Sequence, residues 1–142
     1  MTMDADGSHH PHEIARIIQP LLHGIDVVIG SRFLKNNGKI TSKLHMLGNH
    51  TFNTLILLIT RKKVTDSQTG FRAFRSEVVK ELQLFSEGYE IDTELTVKTL
   101  KNGFKVKEEP ITCTKRGHGQ SKINALADGF SILRTILKAN FA

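Results

Sequence analysis

Cysteine is nearly absent: the 142 residues hold one, Cys113, which excludes an internal disulfide and fits a reducing compartment. It lies in an alternating apolar and polar run without metal-ligand spacing, so it reads as a small, half-buried residue rather than a nucleophile. Aromatic residues make up only 6% of the chain. Phe71, Phe74 and Tyr89 are too few and too core-like for a base-stacking platform, which argues against a nucleic-acid partner. Long apolar runs are missing as well. The most apolar stretch, Leu55 to Ile59, falls well short of the roughly 20 residues that span a bilayer. The first residues are acidic and lack the apolar core of a cleavable signal. Acidic residues are in the minority, 14 against 20 basic, for a formal net charge of +6. That balance favours anionic partners such as phosphorylated small molecules or anionic membrane surfaces, although a soluble protein with a basic surface accounts for the charge by itself.

What is present reads as one α/β domain, residues 1–142. Met1 to Met3 resemble the end of a strand. Pro11 suits the first turn of a helix, and Ile14, Ile17, Ile18, Leu21 and Leu22 follow at amphipathic spacing, closed by Gly24. Asp26-Val27-Val28-Ile29-Gly30 is almost wholly apolar, the pattern of a strand buried inside a parallel sheet. Strand, helix and strand in this order make a βαβ unit. A polar loop with Arg32, Lys35, Lys39 and Lys43 leads into a helix over 44–60 that is apolar on nearly all sides and ends at Arg61-Lys62-Lys63. Such a helix is either buried or lies against an anionic lipid surface, with core packing the better reading. Residues 66–70 form a loop, and Phe71 to Phe74 a strand with Phe71 and Ala73 on one face. Ser76 caps a short helix that turns Val78 and Val79 inward. A further helix runs from about Glu90 to Lys101 and stops at Asn102-Gly103. A second strand region, Phe104 to Thr114, is interrupted by Pro110 and therefore belongs at an edge or a bend. The last helix carries Ile123, Leu126, Phe130, Leu133 and Leu137 on one stripe.

Three polar features carry possible chemistry. Asp4 and Asp6, two apart at a strand end, point to the same side and suit a hard divalent cation such as Mg²⁺ or Mn²⁺. The Arg32 loop offers a guanidinium fork for phosphate. The run Lys115 to Lys122 places Arg116, Ser121 and Lys122 among glycines that let backbone amides approach an anion, and a solvated connection fits that composition as well. His9, His10 and His12 lack partners at metal-binding offsets and read as a solvated turn. Asp92 and Glu94 stand near a helix start, where the helix dipole favours carboxylates; a general base drawn from this pair is the alternative.

Five stretches recur in a familiar order. They are Asp4-Ala5-Asp6-Gly7-Ser8-His9-His10-Pro11, Asp26 to Phe33, Thr65-Asp66-Ser67-Gln68-Thr69-Gly70-Phe71-Arg72-Ala73-Phe74, Gly88 to Leu95, and Arg116-Gly117-His118-Gly119-Gln120-Ser121-Lys122. Together they resemble the dolichyl-phosphate mannose synthase-like branch of the family 2 glycosyltransferases, across almost the whole chain. The resemblance implies a GT-A (Rossmann-like) α/β fold, a nucleotide-diphosphate sugar donor, Mg²⁺ or Mn²⁺, and a polyprenyl-phosphate acceptor at the cytoplasmic face of a membrane. Asp4 and Asp6 match the family's metal-binding pair, and Ser8 stands where a glutamine commonly adds a metal contact. Arg32, Arg116 and Ser121 match positions that handle donor or acceptor phosphate, with Lys122 beside them. The chain begins at the metal motif, so the resemblance implies a partial GT-A fold, the C-terminal part of the domain, without the first nucleotide-binding strands.

The function expected is inverting transfer of a sugar from a nucleotide diphosphate to a polyprenyl or dolichyl phosphate. The alternative is a catalytically inactive, truncated fragment that docks on a membrane or a partner. A phosphate acceptor is already anionic and dispenses with a base; a hydroxyl acceptor would need Asp92 or Glu94.

Overall fold

The structure is a computed structural model that describes residues 1–34, 43–114 and 125–141. At its centre lies strand β1 (Val27–Ser31), buried at every residue. It separates β2 (Arg72–Phe74) from β3 (Val106–Pro110) in the order β2-β1-β3. β1 runs parallel to β3, from Val27 opposite Val106 to Ser31 opposite Pro110, and antiparallel to β2, with Val28 opposite Ala73. The sheet is therefore mixed, where the apolar run predicts a parallel one. An unbroken apolar strand records burial on both faces, and burial says nothing about the direction of the neighbour. β3 is an edge strand among the described residues, as Pro110 requires.

Met1 to Met3 do not form a strand of this sheet. Thr2 instead makes an isolated antiparallel bridge to Arg72, with Thr2 N donating to Arg72 O at 2.8 Å and Arg72 N donating back at 3.1 Å. Because β2 is antiparallel to both, the segment at Thr2 runs parallel to β1 with β2 inserted between them. The expected strand-helix-strand connection thus steps over an intervening strand.

The first helical segment is a 3₁₀ turn at Pro11–Glu13, helix α1 (Ile14–Ile18) and a second 3₁₀ stretch at Gln19–His23 that ends at Gly24, φ +81°. Pro20 lacks an N–H and favours the tighter winding. Ile17 is buried and Ile14 and Leu21 pack beside it, but Leu22 is 79% exposed and Ile18 is partly exposed. The five-residue stripe is broken because 3₁₀ winding turns each residue further than an α-helix does.

Alternate residues of β1 serve opposite layers. Val28 packs with Ile17, Phe71, Ala73 and Ile111. Val27 and Ile29 pack with Val78 and Leu82 around α3 (Ser76–Glu81) and with Leu95 of α4 (Ile91–Lys101). Val79 is 60% exposed, contrary to the inward orientation predicted for it. Ser76 is the first helical residue rather than the cap, and its hydroxyl donates to Glu77. α4 ends at Asn102 and Gly103, φ +78°, as expected.

A further core joins α2 (Lys43–Thr60), α4 and α5 (Ala125–Phe141) through Ile56, Val97, Leu100, Ile132, Ile136 and Ala139. α2 is not apolar-buried all round. Asn49, Asn53 and Ile56 face inward while Leu44, Leu47 and Leu58 face outward. In α5 the predicted stripe faces outward over its described part: Phe130 is 70% and Leu137 50% exposed, and Leu133 is exposed too. Thr135 and Ala139 on the opposite face are small enough to let α5 approach its neighbours closely. Helices on both faces of a small mixed sheet match the α/β architecture of a partial GT-A glycosyltransferase fold.

Candidate functional site

The acidic turn is built on Gly7, whose φ of +80° reverses the chain between the aspartates and His9. Ser8 N donates to Asp6 Oδ1 at 2.9 Å. The turn is stapled to the segment after β3 by Thr114 N to Ser8 O at 3.0 Å, by Thr114 Oγ1 to Gly7 O at 3.2 Å and by a bridge between His9 and Cys113. Buried Glu13 adds a further tie, accepting Thr112 N at both carboxylate oxygens. Cys113 is half-buried, as expected, and burial pushes its thiol pKa up.

His9 departs from the solvated turn expected of it. It is buried, tilts against Phe71 with ring centroids 5.2 Å apart, and meets Asp4 Oδ2 through Nε2 at 3.2 Å. This contact is the main reason that the Asp4 carboxyl sits below its ordinary pKa; burial and the nearby Asp6 charge oppose it. Of the other two, His10 and His12 stack on each other, and His12 is exposed.

Arg32 leaves the end of β1 and is gripped by Asp66. Its Nε reaches Oδ2 at 2.7 Å, its Nη2 reaches Oδ1 at 2.8 Å, and its own amide donates to Oδ2 at 3.1 Å. Burial disfavours the guanidinium charge, but the Asp66 contacts outweigh it and raise the pKa. The acidic turn, the end of β1 and the start of α4 meet on one loop: Asp4 lies against Gly70, Asp66 holds Arg32, and Arg72 faces Asp92.

The loop 65–70 is the scaffold of that site, and many of its polar groups are tied to neighbouring elements. Thr65 O accepts from Asn49 Nδ2 at 2.9 Å and Asn53 Nδ2 at 2.8 Å. Glu108 of β3 accepts the amides of Thr65 and Asp66 and the Thr65 hydroxyl. Gln68 donates to Thr93 Oγ1 at 2.7 Å. Arg72, completely buried, donates to Thr69 O, Thr96 Oγ1 and Ser67 O at 2.8 Å each and faces Asp92 at 3.5 Å. Asp92 has its pKa raised by burial against the opposing pull of Arg72.

The pair Asp92 and Glu94 is divided by the fold. Asp92 belongs to the charged site. Glu94 is completely buried and accepts Phe85 N, Ser86 N and Lys98 Nζ, the last at 2.8 Å; although burial raises its pKa, these bonds outweigh it and hold the carboxyl below its ordinary value. Its place is to pin the chain ahead of α4. Arg116, Ser121 and Lys122 lie outside the described residues.

An exposed carboxylate at Asp4 and a half-buried one at Asp6 fit a small hard cation that keeps water and substrate phosphate as further ligands. Among the described residues no group of three or more His, Cys, Asp or Glu side chains is arranged to hold a metal. Among the described residues, Asp4 and Asp6 are the carboxylates that an ion in this turn would rest on.

His9, Asn49, Asn53, Asp66, Arg72 and Glu108 are the site-building residues that the side-chain patterns alone do not single out. Asp66 and Arg72 lie within the stretch that carries the family resemblance, and the density of polar residues at 65–70 between an apolar helix and a strand is the signal that marks them.

Residues 1–83 match the model of glycosyl transferase family 2. An uncharacterised protein of Methanocaldococcus jannaschii is 37% identical over 137 residues, 94% of this chain and 56% of its own length. The polyprenol monophosphomannose synthase of Mycolicibacterium smegmatis is 36% identical over 127 residues, covering 86% of this chain and 48% of that protein. The UDP-N-acetylglucosamine–dolichyl-phosphate N-acetylglucosaminyltransferase of Methanococcus voltae is 34% identical over 145 residues, with 96% and 56% covered. The chain spans about half the length of the curated relatives it matches. With the motif order and this geometry, the family match assigns the chain to glycosyl transferase family 2.

Proposed function

We propose that this chain forms the metal- and phosphate-handling part of an inverting glycosyltransferase. The enzyme would move a sugar from a nucleotide-diphosphate sugar to a polyprenyl or dolichyl phosphate at the cytoplasmic face of a membrane. The observation that carries this reading is that one loop gathers three distant stretches: Asp4 lies against Gly70, Asp66 grips Arg32, and Arg72 faces Asp92 at 3.5 Å. The polyprenol monophosphomannose synthase and the UDP-N-acetylglucosamine–dolichyl-phosphate transferase among its relatives support these donor and acceptor classes.

Asp4 and Asp6 would hold Mg²⁺ or Mn²⁺, with Ser8 setting the turn through the hydrogen bond its backbone N–H donates to Asp6 Oδ1. When bound, the ion neutralises charge that develops on the leaving diphosphate. Arg32, oriented by Asp66, presents a fixed guanidinium edge to phosphate without reorganising. Arg116, Ser121 and Lys122 would add donors around the same phosphates. An acceptor phosphate needs no base; with a hydroxyl acceptor, Asp92, whose pKa is raised, is the better placed of the two acidic candidates. No described helix is long and apolar enough to cross a membrane. Peripheral contact would instead use the outward leucines of α2, the outward stripe of α5 and the basic cluster Arg61-Lys62-Lys63.

Titration calorimetry of the chain with nucleotide-diphosphate sugars, with and without Mn²⁺, tests this. Metal-dependent binding that disappears in the Asp4→Asn, Asp6→Asn double variant is expected. Binding indifferent to metal or to those substitutions, or no binding by a folded sample, would overturn the assignment.

A further inference from the structure

We propose that His9 and Gly70 are positioning residues that together set the orientation of the Asp4 carboxylate for a divalent cation. The inference rests on Asp4 being a metal ligand, as proposed above, and adds the groups that aim it.

Gly70 is the first part of the device. A Cβ on Gly70 would stand 2.4 Å from Asp4 Oδ1, 2.9 Å from Cγ and 3.0 Å from Oδ2. The carboxylate therefore lies directly against a bare backbone, in space that any side chain would take. The glycines with left-handed backbone among the described residues are Gly7, Gly24 and Gly103, so Gly70 is not required by its φ angle. Room for Asp4 is the reason for a glycine here. Gly70 cannot shift easily, because its loop is bonded on both sides: Arg72 holds Thr69 O, and Gly30 N donates to Phe71 O at 2.8 Å.

His9 is the second part. Its side chain is 2% exposed, and Nδ1 is buried with no hydrogen-bond partner among the described residues. Burying such a nitrogen costs about 1–3 kcal/mol, which an apolar ring of the same shape would avoid. Packing against Phe71 thus gives no reason for a histidine. The one polar contact the ring makes among the described residues is Nε2 to Asp4 Oδ2 at 3.2 Å. An imidazole with its proton on Nε2 donates to that oxygen and fixes the carboxylate plane, the role that outer ligands of metal sites fill. The bridge to Cys113 holds the His9 backbone, so the ring is aimed by the sheet side of the fold rather than by a free turn.

The experiment is Mn²⁺ binding to the chain, read from the free-ion paramagnetic resonance signal at one pH. The variants are Gly70→Ala, His9→Phe, His9→Gln and Asp4→Asn, each checked for folding by circular dichroism. Gly70→Ala and His9→Phe are expected to weaken Mn²⁺ binding by roughly 10–100-fold. His9→Gln should restore most of the affinity, because its amide nitrogen can take the place of Nε2. Wild-type affinity in folded Gly70→Ala and His9→Phe would overturn the inference while leaving Asp4 a ligand. If Gly70→Ala does not fold, the His9 pair decides: loss in both His9→Phe and His9→Gln makes the role structural and overturns it. Unaltered binding in Asp4→Asn would instead refute the metal reading beneath it.

Discussion

Arg72 offers the sharpest test of how the site is held. Its guanidinium is completely buried, donates three hydrogen bonds of 2.8 Å to Thr69 O, Ser67 O and Thr96 Oγ1, and faces Asp92 at 3.5 Å. Arg72→Met keeps the unbranched stem and removes all of these. Two carbonyls and a partly buried carboxylate lose their counterpart. Removing one partner of a buried ionic network costs ~3–5 kcal/mol, a large part of the 5–15 kcal/mol that typically stabilises a domain. At about 3 °C per kcal/mol for a chain of this length, the melting temperature should fall by ~10–15 °C. Arg75→Met is the control. Arg75 is 48% exposed at the side chain and meets Asp26 at 3.6 Å, so its loss should leave stability within about 0.5 kcal/mol. Thermal melts followed by circular dichroism at pH 7 measure both. Should Arg72→Met melt within about 3 °C of wild type, the 65–70 loop would not depend on Arg72, and the reasoning would be refuted.

Three further outcomes are expected. Gly30→Ala would place a Cβ 2.9 Å from Ile111 Cγ2 and 3.0 Å from Phe71 O, overpacking the centre of the sheet at a cost of ~1–3 kcal/mol; denaturant unfolding measures the loss, and an unchanged midpoint would contradict it. Glu108→Gln leaves one loop amide facing an NH₂ group and should cost ~1–3 kcal/mol. Burial raises the Glu108 pKa above its ordinary 4.5. The folded chain therefore holds that proton more tightly than the unfolded chain, and the advantage of wild type over Glu108→Gln should be greatest below pH 4.5 and shrink as pH rises through the folded value; an advantage that grows with pH would contradict it. Phe130→Ser with Leu137→Ser, on exposed positions of α5, should leave the melting temperature nearly unchanged and reduce flotation with vesicles rich in anionic lipid. Retained flotation would remove α5 from the membrane-facing surface.

Much of the architecture is legible in local pattern. The apolar run at 27–30, the helix at 44–60, the Asn102-Gly103 stop and the edge position forced by Pro110 all follow from short-range chemistry, and the structure bears them out. The failures have physical causes as well. Leu22 left its stripe because Pro20 tightened the winding, and the stripe of α5 faces outward because Ile132, Ile136 and Ala139 on the opposite face enter the core with Ile56, Val97 and Leu100. For the proposed site, the order of motifs pointed to Asp4, Asp6 and Arg32, and to the stretch that holds Asp92. It did not separate Asp92 from Glu94, since both occupy the first turn of one helix and only their surroundings differ.

The sequence by itself determined the residue types at the site, the α/β class and membership in the family, because motif chemistry, hydrophobic period and turn residues are encoded locally. Only the tertiary structure decided which charges meet. Asp66 closes on Arg32, Arg72 on Asp92, and His9 and Gly70 on Asp4, between positions separated by as much as 66 residues (70 − 4) along the chain. Such pairings depend on desolvation and close approach once β2 has slotted beside β1, and no periodicity in one dimension records them.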